Sequence, residues 1–207
     1  MCMPETNKII IFLRHGEALT NVTYTTSNDP DKYPLTENGR AMAERAATKL
    51  EGLHIDGFYT SPVLRARETA GIVAKHIGMK PEVSPMLVER GFGKYNGRQF
   101  KSRSDIIIEE WRQIEEGYPD YESWSDIMHR VNSFVANASG GTILAVTHSD
   151  VISGMLGSIL KRDEMALSGI SPIYGSFTIL DLSKKGFDCV VEIGSPNIPK
   201  LHFKHKG

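Results

Sequence analysis

Cysteine is nearly absent from this 207-residue chain, with Cys2 and Cys189 as the whole supply. Two cysteines build no disulfide framework, and this pair has no metal-binding spacing, so a reducing compartment is expected. Long apolar runs are missing as well. The stretch nearest the start, Ile9 to Leu13, is far shorter than a signal-peptide core or a membrane span requires. A cytoplasmic protein with no membrane partner is therefore expected. Charge of one sign is not in excess, since 24 Lys and Arg face 25 Asp and Glu for a net charge of −1. Nucleic-acid binders usually carry a basic surface, so no nucleic-acid partner is expected, and any phosphate chemistry falls to a few placed arginines. The sequence has no internal repeat, low-complexity tract or linker. With 40% apolar and 24% charged residues it has the composition of one globular domain, taken as residues 1–207.

What is there alternates between strand and helix signals. Ile9 to Leu13 is an apolar, β-branched run that stops at Arg14-His15-Gly16, as a buried parallel strand does on reaching a functional loop. Thr36 suits a helix N-cap, and Ala43, Ala46, Ala47 and Leu50 recur at helical spacing until Gly52. Gly57 to Thr60 reads as a second strand. Ser61 and Pro62 fit the cap and first position of a helix running to Gly78. Pro81 to Val83 fits a short edge strand, followed by a loop at Glu89 to Gly93. Helical stripes run through Ile107, Trp111 and Ile114, a pattern that more often meets a core than a substrate, and through Ile127, Val131, Phe134 and Val135. Thr142 to Val146 is another buried strand, followed after Thr147-His148-Ser149 by a helix from Val151 to Leu160. Tyr174 to Leu182 and Cys189 to Gly194 form a closing hairpin. The pattern predicts an α/β three-layer sandwich, with a mostly parallel central sheet, helices on both faces and an antiparallel edge.

Three of these strands end at polar residues: Arg14-His15, Ser61 with Arg65 one turn on, and Thr147-His148. Ligands in open α/β sheets bind outside the carboxyl ends of the strands, so these segments can meet at one crevice. Two imidazoles and two guanidiniums together suit a dianionic phosphoryl group, with arginine forks as anchors and a neutral imidazole as nucleophile. The helix start at Ser61-Pro62 would add backbone N–H groups and a positive dipole end. A lone strand-end His is more often a hydrogen-bonding surface residue, and a lone Arg65 a solvated helix charge. Independent surface residues, however, have no reason to sit at the ends of successive core strands.

Other motifs carry less. The last glycine of Gly91-Phe92-Gly93-Lys94-Tyr95-Asn96-Gly97 sits one residue too far on for a dinucleotide fingerprint, so this segment reads as a loop. His15-Gly16-Glu17 opens like a zinc-deaminase signature, but the partner Pro-Cys-x-x-Cys is missing. His202 and His205 read as a polar tail rather than a metal pair. No metal site is expected.

Arg14-His15-Gly16-Glu17 after an apolar strand, Leu35-Thr36 with Gly39, Ser61-Pro62 before Arg65-Ala66 and Thr69-Ala70, Glu89 near Gly93 and Gly97, Glu122-Ser123 before Asp126 and Arg130, and Thr147-His148 together resemble the histidine phosphatase superfamily, or phosphoglycerate mutase-like family. The likeness runs in order along nearly the whole chain. It implies that His15 is the nucleophile that becomes phosphohistidine and that Arg14, Arg65 and His148 hold the transferring phosphoryl group. Glu89 is implied as the general acid, and Asn21, Arg90 and Ser149 as substrate contacts. Two positions depart from the pattern: Ala18 stands where a hydroxyl residue is usual, and Ser149 where glycine commonly follows the second histidine. Residues 90–125 are implied to form a substrate-specificity insert that helps roof the site.

The residue types fit such chemistry. Attack on phosphorus passes three phosphoryl oxygens, whose charge arginines and a protonated or donating His148 offset without a metal. An alkoxide leaves poorly, so a carboxylic acid such as Glu89 must supply a proton, and a nearby dianion would favour its protonated form. Hydrolysis of a small phosphorylated metabolite is expected, with no cofactor. The segment between Glu89 and His148 is short, and the paired-arginine, proline-rich stretch associated with glycolytic mutases has no match. The alternative is a phosphoglycerate mutase, for which 2,3-bisphosphoglycerate would be the cofactor. A second alternative is a phosphopeptide-binding or regulatory module with a degenerate site, against which the intact His15, Arg65, Glu89 and His148 argue. A homodimer is compatible with the chain.

Overall fold

Strand β1 (Ile9–Arg14) forms from five consecutive apolar residues, and its two-residue period sends them to opposite sides of a sheet. In the computed structural model, which describes residues 7–117, 120–167 and 171–199, both sides are covered. Ile10 and Phe12 pack with Val131, Phe134 and Val135 of α5 (Trp124–Asn137) and with Ile152 and Met155 of α6 (Ser149–Leu160). Ile11 and Leu13 pack with Ala46, Ala47 and Leu50 of α2 (Glu37–Leu50) and with Ala66, Ala70 and Val73 of α3 (Leu64–Ile77). Double-sided burial explains why the strand reads as a continuous apolar run instead of an alternation. Each fully buried Ile, Leu or Phe side chain contributes roughly 1.5–3 kcal/mol. The result is the expected three-layer α/β sandwich.

The sheet order is β3-β2-β4-β1-β5-β6, with β2 at Gly57–Thr60, β3 at Glu82–Val83, β4 at Thr142–Thr147, β5 at Phe177–Asp181 and β6 at Val190–Ser195. Pairings from β3 through β1 are parallel, and those of β5 with β1 and β6 are antiparallel. Register puts Arg14 opposite Thr147 and Thr60 opposite Val146, so β1, β2 and β4 end side by side at one edge. That edge is where the site lies. The closing hairpin is present, tightened by a 3₁₀ turn at Gly186–Cys189.

Caps follow the sequence at most helix ends. Thr36 Oγ1 accepts the Gly39 N–H at 2.9 Å to start α2, and Gly78 ends α3 in the left-handed region at φ 67°. The expected start of α3 is corrected. The helix begins at Leu64 with Val63 as its cap, and Ser61 and Pro62 lie before it. A second correction concerns α4 (Arg103–Glu116), capped by Ser102, whose Oγ accepts the Asp105 N–H. Its stripe was expected to be core, yet Ile107 is 41% exposed and the neighbouring Ile108 is 56% exposed, whereas Glu109 and Gln113 are buried. The helix lies over the site and not on the sheet, so its polar side faces inward. The Ile114 side chain, Cys2, His202 and His205 lie outside the described residues. Among the described residues no helix is long and apolar enough to cross a membrane, and no cluster of three or more His, Cys, Asp or Glu is arranged to hold a metal ion.

Candidate active site

His15 follows β1, and its backbone N–H donates to the Thr147 carbonyl of β4 at 3.0 Å, which extends the parallel ladder by one residue. The next residue is glycine for a steric reason. A Cβ on Gly16 would stand 2.2 Å from the Gly39 carbonyl oxygen, and a Cβ on Gly39 would stand 1.8 Å from that of Glu17. The start of α2 therefore packs backbone to backbone on the His15 loop. Thr69 of α3, fully buried, locks the same loop by accepting the Gly16 N–H at 3.1 Å while donating to Arg65 O at 2.8 Å.

The His15 ring is oriented by two bonds. Nδ1 lies 2.7 Å from the Gly16 carbonyl, which can only accept, so the proton is on Nδ1. Nε2 is then an acceptor, and Arg65 Nε donates to it at 3.1 Å. Burial, followed by the Arg65 and Arg14 charges, holds the His15 pKa well below the ordinary imidazole value. The ring is neutral, with its lone pair on Nε2.

Arg14 and Arg65 flank it, both buried. Arg14 Nη1 donates to Ser171 Oγ at 3.1 Å and to the Pro172 carbonyl, and its guanidinium lies 4.1 Å from the centre of the Tyr174 ring. Arg65 Nη2 donates to Ser27 O at 2.9 Å. Burial lowers both pKa values, that of Arg65 to about 10, so both remain cations at neutral pH. Each keeps a buried donor with no hydrogen-bond partner among the described residues, Arg14 Nε and Arg65 Nη1, and the nearby Thr20 Oγ1 is in the same condition. Unsatisfied buried donors cost about 1–3 kcal/mol each. The three residues line one cavity of about 130 Å³, which His15 also lines.

His148, the residue before α6, lies with its ring 5.1 Å from that of His15. Its Nε2 is 2.8 Å from Ser61 Oγ. Ser61 Oγ also accepts the Val63 N–H at 3.2 Å, so its hydroxyl proton is available to Nε2. That leaves the His148 proton on Nδ1, which has no hydrogen-bond partner among the described residues and lies 3.6 Å from Glu89 Oε2. Burial, then Arg65 and His15, pushes the His148 pKa well below the imidazole norm, so it is a neutral donor rather than the imidazolium that was one expectation. The same contacts correct the role given to Ser61, which supports His148 instead of starting a helix.

Glu89 is buried with Oε2 3.9 Å from Arg65 Nη2, while Oε1 accepts the Arg90 N–H at 3.1 Å. Burial first, and Asp150 second, raise its pKa to about 7, against the opposing pull of Arg65. No bound dianion is needed to keep it partly protonated.

The expected residues Arg14, His15, Asn21, Arg65, Glu89 and Ser149 line the cavity, with His148 directly behind. Asn21 Oδ1 accepts the Ala18 N–H at 2.8 Å, which closes the short helix α1 (Leu19–Val22) under it. Arg90 is not brought to the cavity lining. Its guanidinium forms a two-pronged pair with Glu164 of α7 (Glu164–Leu167), donates to Glu122 O at 3.0 Å and lies 4.4 Å from the Tyr121 ring centre. Sequence reasoning missed Tyr174, Thr20, Glu110 and Asp150, all of which line the cavity. Asp150 adjoins the Thr147-His148-Ser149 segment and was open to that signal; Glu110, one carboxylate on an acidic helix, had none.

A family model for the histidine phosphatase superfamily (branch 1) matches residues 10–192. The chain is 34% identical over 177 residues to the 2,3-bisphosphoglycerate-dependent phosphoglycerate mutase of Thermoplasma acidophilum, over 84% of this chain and 88% of that protein. It is 25% identical over 185 residues to the adenosylcobalamin/alpha-ribazole phosphatase of Escherichia coli, over 84% and 89% of the two chains. Its fold matches the crystal structure of a putative alpha-ribazole-5'-P phosphatase from Escherichia coli with a TM-score of 0.76, over 94% of this chain and 99% of that one, at 22% identity.

Proposed function

The chain belongs to the histidine phosphatase superfamily, branch 1, and on that premise we propose that it hydrolyses small phosphate monoesters through a phosphohistidine on His15. The observation that carries this reading is the convergence of Arg14, Arg65 and His15 on one cavity, with Arg14 Nε and Arg65 Nη1 buried and without a hydrogen-bond partner among the described residues. Three phosphoryl oxygens placed there would satisfy the donors and meet two cations. The Arg65 N–H that holds Nε2 then turns to a phosphoryl oxygen and frees the lone pair.

In the first half of the reaction His15 Nε2 attacks phosphorus as the ester P–O bond breaks. The electron pair passes to the alcohol oxygen, which takes the Glu89 proton, and the alcohol leaves. In the second half the Glu89 carboxylate takes a proton from water, whose oxygen attacks phosphorus. The P–N bond breaks, its pair returns to Nε2, and inorganic phosphate leaves. A pKa of about 7 suits a group that must give and then take a proton near neutrality. His148, a neutral donor behind the cavity, turns its Nδ1 toward Glu89, and Arg14 and Arg65 supply the charge compensation without a metal or cofactor.

Likeness to the Thermoplasma mutase carries the rival reading. A mutase must retain a bisphosphorylated intermediate through reorientation, which calls for further cations facing the cavity. The engagement of Arg90 by Glu164 speaks for hydrolysis instead. A volume of about 130 Å³, below the roughly 300–1,000 Å³ of sites for drug-sized ligands, supports a small substrate. Purified protein should hydrolyse p-nitrophenyl phosphate, and His15→Ala should lower that turnover at least about 10³-fold. With 3-phosphoglycerate and 2,3-bisphosphoglycerate, phosphate release should outpace isomerisation. Turnover preserved in His15→Ala would sink the mechanism, and faster isomerisation would return the assignment to a mutase.

A further inference from the structure

The proposed transfer uses one carboxyl of the cavity, Glu89, yet two more line it. Glu110 comes from α4 and Asp150 from the first turn of α6. Glu110 is half-buried and has no hydrogen-bond or ion-pair partner among the described residues. The three acids lie within one another's fields: Asp150 raises the pKa of both Glu89 and Glu110, and Glu89 adds to the effect on Glu110. The cations nearby pull against these shifts without reversing them. Arg90 Nη1 is 3.8 Å from Asp150 but is already paired with Glu164, and Arg103 is exposed at the cavity margin.

The cavity therefore has two electrostatic halves. Arg14 and Arg65 hold the phosphoryl end. Glu89 meets the ester oxygen, so the alcohol half of a substrate extends from Glu89 toward the two other acids of the cavity lining. A carboxylate one or two carbons from the ester oxygen would be brought against Asp150 and Glu110, and like charges out of bulk water repel strongly. Hydroxyl groups meet the opposite situation, since the Glu110 and Asp150 carboxyls offer acceptors, and a protonated Glu110 also a donor. We propose that Glu110 and Asp150 are specificity-determining residues, which select monoesters of uncharged, hydroxyl-bearing alcohols and reject those whose alcohol half carries a carboxylate. This inference rests on the phosphomonoester reading of the same site.

Glycerol 2-phosphate and 2-phosphoglycerate test it, because they differ by one hydroxymethyl group in place of a carboxylate. Each is measured as a competitor of p-nitrophenyl phosphate hydrolysis, a readout that works whether or not the ester itself is turned over. At about pH 9 Glu110 and Glu89 are both charged, since they titrate at about 8 and about 7. There glycerol 2-phosphate should compete at least about tenfold more tightly. Glu110→Gln and Asp150→Asn, near-isosteric changes, should each shrink that ratio about threefold or more, and Glu110→Lys should bring it near one or reverse it. A wild-type ratio at or below one, or a ratio that moves less than about twofold in both isosteric variants, overturns the proposal. Failure of the underlying reading looks different: p-nitrophenyl phosphate turnover would then survive His15→Ala. Turnover that needs His15, combined with a flat ratio, sinks the specificity claim alone.

Discussion

The inner end and the mouth of the cavity are built on different principles. At the inner end, backbone bonds from β1 to β4, the Thr69 lock and the close approach of Gly16 to Gly39 fix the His15 loop in place. Its side chains are buried, cationic or neutral, and oriented by named partners. At the mouth, α4 presents Glu110 inward without a hydrogen-bond or ion-pair partner among the described residues and leaves Ile107 and Ile108 in solvent. Group transfer needs geometry held to fractions of an ångström, which a parallel sheet edge supplies. Substrate choice can rest on a helix that the sheet does not hold.

Breaking the inner end should have the largest effects. Glu89→Gln should lower kcat/KM, which reports the first half of the reaction, by about 10²–10⁴-fold for alkyl phosphates but far less for p-nitrophenyl phosphate, because nitrophenolate leaves without a proton. In the wild type, kcat/KM for an alkyl ester should fall as pH rises through about 7, as Glu89 loses the proton it must donate. Equal losses on both substrates would leave Glu89 a binding residue only. Gly16→Ala comes next. The new methyl would meet the Gly39 carbonyl, so the loop must shift, at a cost of about 1–3 kcal/mol in denaturant midpoint together with a loss of turnover. Unchanged stability and activity would show that the packing of α2 on this loop is not needed.

The smallest effect is on stability and runs the opposite way. Glu89 has a folded pKa of about 7 against an ordinary 4.5, so folding favours its protonated form. The associated stability is present below the unfolded value and is lost as pH rises through about 7. Glu89→Gln should therefore be more stable than the wild type at pH 8, by about 1–3 kcal/mol, with the gap closing toward pH 4. Thermal melts at the two pH values check this. A variant less stable at pH 8 would mean that the charged carboxylate is well satisfied where it sits.

The same contrast decides what was legible in the sequence. Runs such as Ile9 to Leu13 that stop at Arg14-His15 report both a buried strand and a site at its end, because one edge of the sheet serves both purposes. The mouth offers no such coincidence. The Ile107 and Trp111 spacing is helical, and the helix exists, but periodicity does not say whether its apolar stripe meets a core or solvent. Ser61-Pro62 carries the chemistry of a helix start, yet a tertiary contact with His148 claims the serine and the helix begins at Leu64. Arg90 stands beside Glu89 like a ligand contact, but its partner Glu164 lies 74 residues away in the chain, beyond any local pattern.

The central claim is that His15 carries the phosphoryl group. Brief mixing with a phosphate-labelled monoester, quenching in alkali and peptide mapping test it directly. The account predicts an acid-labile, alkali-stable label on the peptide containing His15, absent from His15→Ala and longer-lived in Glu89→Gln, where no base activates water. Full turnover with no label on that peptide, or a label that persists in His15→Ala, would contradict it.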